Sequence, residues 1–164
     1  MPRVYVSLGS NIDRETNLRT AVRELAAHYG TLTVSPVYES AAVGFDGGNF
    51  YNLVTGFDTE ETPERVKEVL GEIETHCGRQ RDGVRFGPRT LDLDLLLHGD
   101  TVRHDGRIEL PHPDIRRYAF VLRPLADIAP ERRDPETRHT YREMWRQFDT
   151  GKAEIREVDF DPGE

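Results

Sequence analysis

The sequence has little of what a disulfide-bonded, secreted or membrane protein requires. Cys77 is its only cysteine, which excludes an internal disulfide and a zinc site built from cysteines. No uncharged apolar run approaches the roughly 18 residues that cross a bilayer. A short alternating segment, rather than an apolar signal sequence, follows Met1. We therefore expect a protein that resides in the cytoplasm and does not insert into membranes.

Positive charge is also scarce, and almost all of it is arginine. The 164 residues carry 22 Lys and Arg against 30 Asp and Glu, a formal net charge of -8, and lysine occurs only at Lys67 and Lys152. A net charge of this sign opposes general affinity for a nucleic-acid backbone, so we expect no nucleic-acid partner. A local basic patch is still compatible with a small phosphorylated ligand.

Hydrophobic periodicity predicts strands and helices in alternation. Strands are predicted at residues 3–8, 31–38, 50–57 and 90–98. Apolar residues at helical spacing predict one helix between Asp13, as N-cap, and Gly30. A second predicted helix has Thr62 as N-cap and Pro63 at its first position, and ends at Gly78. Because each amphipathic helix needs a sheet to cover, the order β-α-β-β-α-β predicts an α+β domain with an antiparallel sheet, as in ferredoxin-like folds.

The rest of the chain predicts shorter elements within the same domain. We expect turns at Gly99-Asp100 and Asp105-Gly106, a short helix near 141–148 and a last strand near 153–158. A single domain is expected over residues 1–164, with its core at 3–158 and a frayed tail at 159–164.

Two aspartates, Asp92 and Asp94, alternate with leucines on the last of the four main strands. Residues two apart on a strand lie about 6.6 Å apart on one face, whereas Leu91, Leu93, Leu95 and Leu97 are expected on the other. Two carboxylates on one face suit Mg²⁺ bound to a polyphosphate. An isolated pair of this kind is more often two solvent-facing acids on a half-exposed strand. The neighbouring residues are therefore needed to distinguish a metal site from an ordinary surface.

The neighbouring loop is rich in arginine and glycine. It carries the guanidinium groups of Arg79, Arg81, Arg85 and Arg89. Such groups neutralise a polyphosphate and the charge that develops in phosphoryl transfer. The alternative is a solvated basic loop paired with an acidic surface. Because the chain has neither a P-loop nor a G-x-S-x-G nucleophile elbow, direct in-line transfer is the simpler chemistry.

Aromatic and amide groups suggest a second ligand. Phe50 and Asn52 project from the same face of a predicted strand, and Phe120 offers a second ring. On propensity alone both phenylalanines are more typical of a core, and Asn52 is the unusual residue in mid-strand. His112, flanked by prolines, is a candidate phosphate contact or an ordinary surface histidine.

The run from Phe86 to Leu97 (FGPRTLDLDLLL) resembles the signature of the 6-hydroxymethyl-7,8-dihydropterin pyrophosphokinases of folate biosynthesis. Supporting matches recur in family order over residues 3–130. They are Leu8-Gly-Ser-Asn11, Asn49-Phe-Tyr-Asn52, Gly78-Arg79, Leu110-Pro-His112-Pro, Phe120-Val-Leu, Pro124-Leu and Ile128-Ala-Pro130.

The resemblance implies an α-β-α sandwich on a ferredoxin-like core and transfer of pyrophosphate from ATP to the pterin hydroxymethyl group, with release of AMP. It implies two Mg²⁺ ions held by Asp92 and Asp94. The implied catalytic residues are Arg79, Arg89 and Asp94. The implied ATP-binding residues are Glu74, Arg81, Arg85, Phe86, Leu95, Arg107 and His112. The implied pterin-binding residues are Ser40, Ala41, Val43, Phe50, Asn52 and Phe120.

The sequence also departs from the family pattern. Ala41-Ala42 replaces common prolines, Phe86 a tryptophan, Asp82 a basic residue and Tyr118 an arginine. From the charge reversal at Asp82 we expect weaker ATP binding than is usual in the family. We expect a monomer.

Two alternatives stay open on the sequence. The first is a catalytically silent pterin- or nucleotide-binding module. The second is a Mg²⁺-dependent phosphoryl transferase that acts on a different planar alcohol. AMP release that requires both ATP and the pterin separates them from the pyrophosphokinase.

Overall fold

A computed structural model describes residues 1–41, 49–77, 91–149 and 155–163. The described strands are β1 (Arg3–Ser10), β2 (Thr33–Val34), β3 (Val37–Ser40), β4 (Phe50–Asp58), β5 (Asp92–His98), β6 (Arg103–His104), β7 (Glu109–Leu110) and β8 (Ile155–Val158). The described helices are α1 (Arg14–Tyr29), α2 (Pro63–His76), α3 (Asp114–Arg117), α4 (Ala119–Ile128) and α5 (Tyr141–Gln147).

The main sheet is antiparallel and has the order β5-β1-β4-β3-β8, with β2 also paired to β4. Strands β6 and β7 form a separate hairpin. The order β1-α1-β2/β3-β4-α2-β5 along the chain confirms the predicted β-α-β-β-α-β arrangement. The long central strands β1 and β4 therefore support helices on each side of a ferredoxin-like sheet.

Among the described residues, two hydrophobic cores lie on opposite faces of this sheet. On one face, Val4, Val6 and Leu8 of β1 pack with the apolar stripes of α1 and α2. On the other face, Tyr5 and Val54 pack with residues of α4 and α5. Because successive strand residues point to opposite faces, each central strand contributes to both cores. The expected α-β-α sandwich is confirmed.

The ends of the helices show which predicted caps form. Thr62 caps α2 as predicted, since its hydroxyl accepts the Arg65 N–H at 3.1 Å and Pro63 occupies the first turn. Asp13 precedes α1, but its backbone is left-handed (φ 44°) and its side chain makes no capping hydrogen bond. Instead, the Asp13 carbonyl accepts the Asn17 N–H at 2.9 Å. Asp13 is therefore the N-cap residue of α1, as predicted, but it caps the helix through its backbone carbonyl and not through its side chain.

A register shift in β5 shows that Leu97 does not share a face with Leu93 and Leu95, in contrast to the prediction. Val6 pairs with Leu95 and Tyr5 pairs with Leu97, which leaves Leu96 as an extra residue. An extra residue of this kind reverses the alternation that follows it. Leu97 consequently joins the core of Tyr5, not that of Leu93 and Leu95.

One further strand differs from its prediction. The strand predicted at 31–38 is divided into β2 and β3 at Ser35-Pro36, where the Ser35 hydroxyl accepts the Val54 N–H at 2.9 Å. In the tail, Phe160 packs near Tyr51, with its ring centroid 6.2 Å away. The fraying of residues 159–164 stays a prediction.

Among the described helices, none has the length and apolar character that a bilayer span requires. Cytoplasmic residence stays a prediction.

Candidate active site

Two neighbouring pockets meet at Asp94 on β5. The first, which we call the sheet pocket, lies between the sheet and the start of α4 and has a volume of about 340 Å³. The second, which we call the edge pocket, lies between α2, β5 and β7 and has a volume of about 220 Å³. The sheet pocket is within the usual size range of small-molecule sites, and both border the same carboxylate.

A hydrogen-bonded amide forms part of the sheet pocket. Asn52 on β4 is only 6% exposed. Its Nδ2 donates to the Ser40 hydroxyl at 2.8 Å and to the Tyr38 carbonyl at 3.4 Å. Its Oδ1 lies on the Gly9 side, where a Cβ would approach it to 3.1 Å. The network therefore orients the amide so that an acceptor, rather than a donor, is left for a ligand.

Aromatic rings reach the same pocket from two layers. Phe50 comes from β4, and Phe120 comes from the first turn of α4. Tyr118 stacks on Phe120, with ring centroids 4.8 Å apart and an interplanar angle of 17°. Phe50 and Phe120 are half-buried pocket residues rather than fully buried core residues. The structure brings both predicted rings to one cavity beside Asn52.

The two aspartates lie on the face of β5 that borders the sheet pocket, as their spacing predicts. Asp92 pairs with Gly9 and Asp94 pairs with Ser7 across the β1–β5 ladder. Asp94 is exposed and Asp92 half-buried. Their carboxylates thus border the cavity that also contains the aromatic rings.

His112 is held beside these carboxylates by its own loop. Its backbone N–H donates to the Leu96 carbonyl at 2.9 Å. Its Nδ1 accepts the Asp114 N–H at 3.1 Å, so the neutral ring carries its proton on Nε2. This tautomer makes His112 a hydrogen-bond donor through Nε2.

Asp114 is a site residue that the sequence analysis missed. One side-chain ligand atom from each of Asp94, His112 and Asp114 lies within 4.8 Å of the others. The sequence signal available for Asp114 was its position two residues after His112 in a proline-flanked loop. The structure thus adds a third carboxylate to the predicted pair.

The edge pocket collects four predicted nucleotide contacts that are far apart in the chain. They are Glu74, Leu95, Arg107 and His112. Glu74 Oε2 also accepts the Leu93 N–H at 2.9 Å, which ties α2 to β5. Leu70 and Ile108 add apolar surface to this pocket. The cavity therefore combines apolar walls with cationic and hydrogen-bonding groups near its junction with Asp94.

Several predicted site residues lie outside the described residues. They are Val43, Arg79, Arg81, Arg85, Phe86 and Arg89, together with the departures Ala42 and Asp82. Their roles stay predictions. Ser40 and Ala41, which precede the first of these gaps, both line the sheet pocket.

Sequence relatives cover most of the chain. Residues 5–130 match the family described as 7,8-dihydro-6-hydroxymethylpterin-pyrophosphokinase (HPPK). The 2-amino-4-hydroxy-6-hydroxymethyldihydropteridine pyrophosphokinase of Pseudomonas aeruginosa is 42% identical over 141 residues, which cover 84% of this chain and 86% of the relative. The Bacillus subtilis protein of the same name is 44% identical over 128 residues, with 76% of each chain covered.

Solved structures agree in fold. The wild-type HPPK-DHPS of Plasmodium falciparum with pteroate superposes with a TM-score of 0.71 at 14% identity over 89% of this chain. An HPPK-DHPS in complex with substrates has a TM-score of 0.72 at 12% identity, also over 89% of this chain. This chain spans 42% and 45% of those two longer proteins. With the sequence match over residues 5–130, the chain belongs to the 7,8-dihydro-6-hydroxymethylpterin pyrophosphokinase family.

Proposed function

We propose that this protein transfers pyrophosphate from ATP to the hydroxymethyl group of 6-hydroxymethyl-7,8-dihydropterin in folate biosynthesis, with release of AMP. The observation that supports this most directly is the meeting of the two pockets at Asp94. An aromatic, amide-containing cavity and a mixed apolar and polar cavity there share one carboxylate. Such an arrangement suits two substrates that meet at a common phosphate-handling centre.

The pterin fits the sheet pocket. Phe50 and Phe120 offer ring faces to a flat heterocycle. Asn52 Oδ1 accepts hydrogen bonds from the N–H groups on the pyrimidine edge, because its Nδ2 is already bonded to Ser40. The carbonyl and amide groups of Ser40 and Ala41 supply further backbone contacts. The hydroxymethyl group then points toward Asp92 and Asp94.

The nucleotide fits the edge pocket. Leu70, Leu95 and Ile108 offer apolar surface to the adenine. Arg107 supplies positive charge, and the Nε2–H of His112 donates to a phosphate oxygen. The triphosphate extends from this pocket to Asp94, so that its β-phosphorus faces the acceptor alcohol.

The residues at the junction fit Mg²⁺. Carboxylate oxygens are the ligands that this hard cation prefers, and Asp92 and Asp94 would hold two such ions with the ATP phosphates. Bound Mg²⁺ neutralises phosphate charge in this chemistry. His112 is not among these ligands, because its Nδ1 accepts the Asp114 N–H and its Nε2 carries the proton.

The side chains of the protein mainly position the two reactants. In-line transfer needs the alcohol oxygen close to the β-phosphorus, and holding both reactants in that geometry supplies a large part of the rate. Asn52 and the two rings fix the acceptor, whereas His112 and the edge pocket fix the donor. Arg79 and Arg89 are proposed to stabilise the transferred group.

The direct test is AMP formation from Mg-ATP with and without 6-hydroxymethyl-7,8-dihydropterin, with the mass of the product checked for an added diphosphate. We expect AMP only when both substrates are present. A protein that binds the pterin without forming AMP is a binding module. A protein that does neither has another acceptor.

Asp94→Ala tests the metal assignment. We expect turnover to fall at least 100-fold, and Mn²⁺ binding in the presence of ATP, followed by electron paramagnetic resonance, to weaken. The thermal unfolding midpoint should stay close to wild type because Asp94 is exposed. Asp100→Ala, at a side chain that is 92% exposed in a turn, is the matched control. Unchanged Mn²⁺ binding in Asp94→Ala would refute the assignment.

A further inference from the structure

One face of α4 joins the sheet pocket to strand β3. Phe120, Arg123 and Asp127 are spaced three and four residues apart, which places them along one side of the helix. Phe120 lines the sheet pocket. Arg123 and Asp127 both contact the hydroxyl group of Tyr38 on β3. The helix that presents a pocket ring is thus attached to the sheet by polar side chains of the same stripe.

The attachment is a closed triangle of hydrogen bonds. Tyr38 Oη donates to Asp127 Oδ2 and accepts from Arg123 Nε at 3.1 Å. Arg123 Nε also lies 3.3 Å from Asp127 Oδ1. Tyr38 is only 4% exposed, and its burial together with the Asp127 bond raises its pKa, so the hydroxyl stays a donor. Bonds of a hydroxyl to charged partners are stronger than those between neutral groups.

The same tyrosine also contacts the opposite wall of the pocket. Tyr38 pairs with Asn52 in the β3–β4 register, and its carbonyl accepts from Asn52 Nδ2 at 3.4 Å. Ser40, two residues further along β3, accepts from the same nitrogen at 2.8 Å. Tyr38 therefore contacts the Asn52 amide through its backbone and the Phe120 helix through its side chain.

We propose that Tyr38 is a positioning residue that fixes Phe120 relative to Asn52 and thereby sets the affinity of the sheet pocket for its flat acceptor. This inference rests on the proposed placement of the pterin between Phe50 and Phe120. Tyr38 does not line the described pocket, so it acts through its neighbours.

The apolar face of α4 is expected to keep the helix packed on the sheet when the Tyr38 hydroxyl is removed. Val121, Leu122 and Leu125 are at most 4% exposed and pack in the core beneath the sheet. That packing holds the helix against β4 in the absence of the triangle. The hydrogen bonds of Tyr38 with Arg123 and Asp127 fix the orientation of the helix on the sheet. Displacements of about 1 Å at a binding site are enough to lower affinity or rate.

Tyr38→Phe is the first test, because it removes the hydroxyl and leaves the Arg123–Asp127 ion pair in place. We expect KM and Kd for 6-hydroxymethyl-7,8-dihydropterin to rise about tenfold, the loss expected for one hydrogen bond to a charged group. We expect kcat and the KM for ATP to stay within about twofold, because none of the hydrogen bonds of Tyr38 reaches a residue that lines the edge pocket.

Tyr29→Phe is the matched control. Tyr29 Oη donates to Glu61 Oε1 at 2.7 Å, which is also a hydrogen bond from a tyrosine hydroxyl to a carboxylate. Neither Tyr29 nor Glu61 lines the two described pockets. It should lower the unfolding midpoint to a similar degree without changing either KM. Equal changes in pterin KM in Tyr29→Phe and Tyr38→Phe would overturn the proposal, because they would report general loosening.

Variants of Asp127 test whether the bond itself matters. Asp127→Asn keeps an oxygen that accepts from Tyr38 and should retain most of the pterin affinity, whereas Asp127→Ala should resemble Tyr38→Phe. The double variant Tyr38→Phe/Asp127→Ala should be no worse than either single variant. Additive losses would contradict a shared contact.

Two pocket variants separate this inference from the proposed site. Phe120→Ala and Asn52→Ala should each raise the pterin KM. If they do and Tyr38→Phe does not, the positioning role is refuted and the site stands. If neither does, the proposed pterin site fails and the inference fails with it.

Discussion

Gly9 and Asn52 lie opposite each other in the β1–β4 register, and a Cβ at Gly9 would come within 3.1 Å of Asn52 Oδ1. The same Cβ would lie 3.7 Å from the ring of Phe50. The missing side chain at Gly9 therefore leaves room for the acceptor oxygen that the sheet pocket offers.

Gly9→Ala is expected to weaken acceptor binding selectively. The new methyl group displaces the Asn52 amide by a few tenths of an ångström or covers its oxygen, so the pterin KM should rise about tenfold while the ATP KM stays unchanged. Steady-state kinetics with each substrate varied would measure both. A rise confined to the ATP KM would place the acceptor elsewhere.

Gly71→Leu is expected to exclude the nucleotide. Gly71 lies on α2 and lines the edge pocket, and a Cβ there meets no atom within 4 Å. A leucine side chain would occupy space assigned to adenine, so the ATP Kd measured by calorimetry should rise at least tenfold. Helix propensity should make the variant more stable, by up to about 1 kcal/mol.

The matched control for this change is Gly71→Ala. It should gain a similar stability from helix propensity and keep nearly normal ATP binding, because a single methyl group projects into open space. Wild-type ATP affinity in Gly71→Leu would show that adenine does not use this pocket.

Tyr118→Ala is expected to lower acceptor affinity by removing the ring that stacks on Phe120. Stacked aromatic pairs contribute about 0.5–1.5 kcal/mol beyond area burial, so a pterin Kd increase of about two- to tenfold is expected. Tyr118→Phe keeps the stack and should bind normally. If both variants lost affinity equally, the hydroxyl rather than the ring would be responsible.

Cys77 is expected to resist alkylation and to make stability depend on alkaline pH. Burial, with a further contribution from the Glu24 carboxylate, raises the pKa of the thiol from 9.0 to about 12. At pH 8 the folded protein has little thiolate, so iodoacetamide should react far more slowly with it than with the protein unfolded in urea.

The sign of the pH effect follows from the proton balance. Between pH 9 and 12 the unfolded chain loses the thiol proton and the folded protein retains it, so unfolding becomes more favourable as pH rises. Urea titrations of wild type and Cys77→Ala across this range would measure it. Equal pH slopes in the two proteins would contradict the shifted pKa.

Much of the fold could be predicted from local patterns. The Thr62-Pro63 start of α2 depends on contacts within one turn, and the shared face of Asp92 and Asp94 depends only on the two-residue period of a strand. The Phe86–Leu97 run also identified the family.

Other features depend on contacts between distant parts of the chain. Leu97 changes cores because β5 must keep register with β1 around an extra residue. The orientation of the Asn52 amide depends on Ser40, and the polar attachment of α4 to the sheet depends on the contact between Tyr38 and Asp127. Hydrophobic periodicity describes residues that are close in sequence, so it does not predict contacts between distant segments.

The sequence by itself determined the order of elements, the carboxylate pair and the membership of the family, because each depends on residues that are close together in the sequence. Only the tertiary structure decided which residues share a cavity, which atom of Asn52 is left for a ligand and that Asp114 joins Asp94 and His112. The physical reason is that hydrogen-bond partners and pocket walls come from strands and helices that meet only when the sheet is assembled.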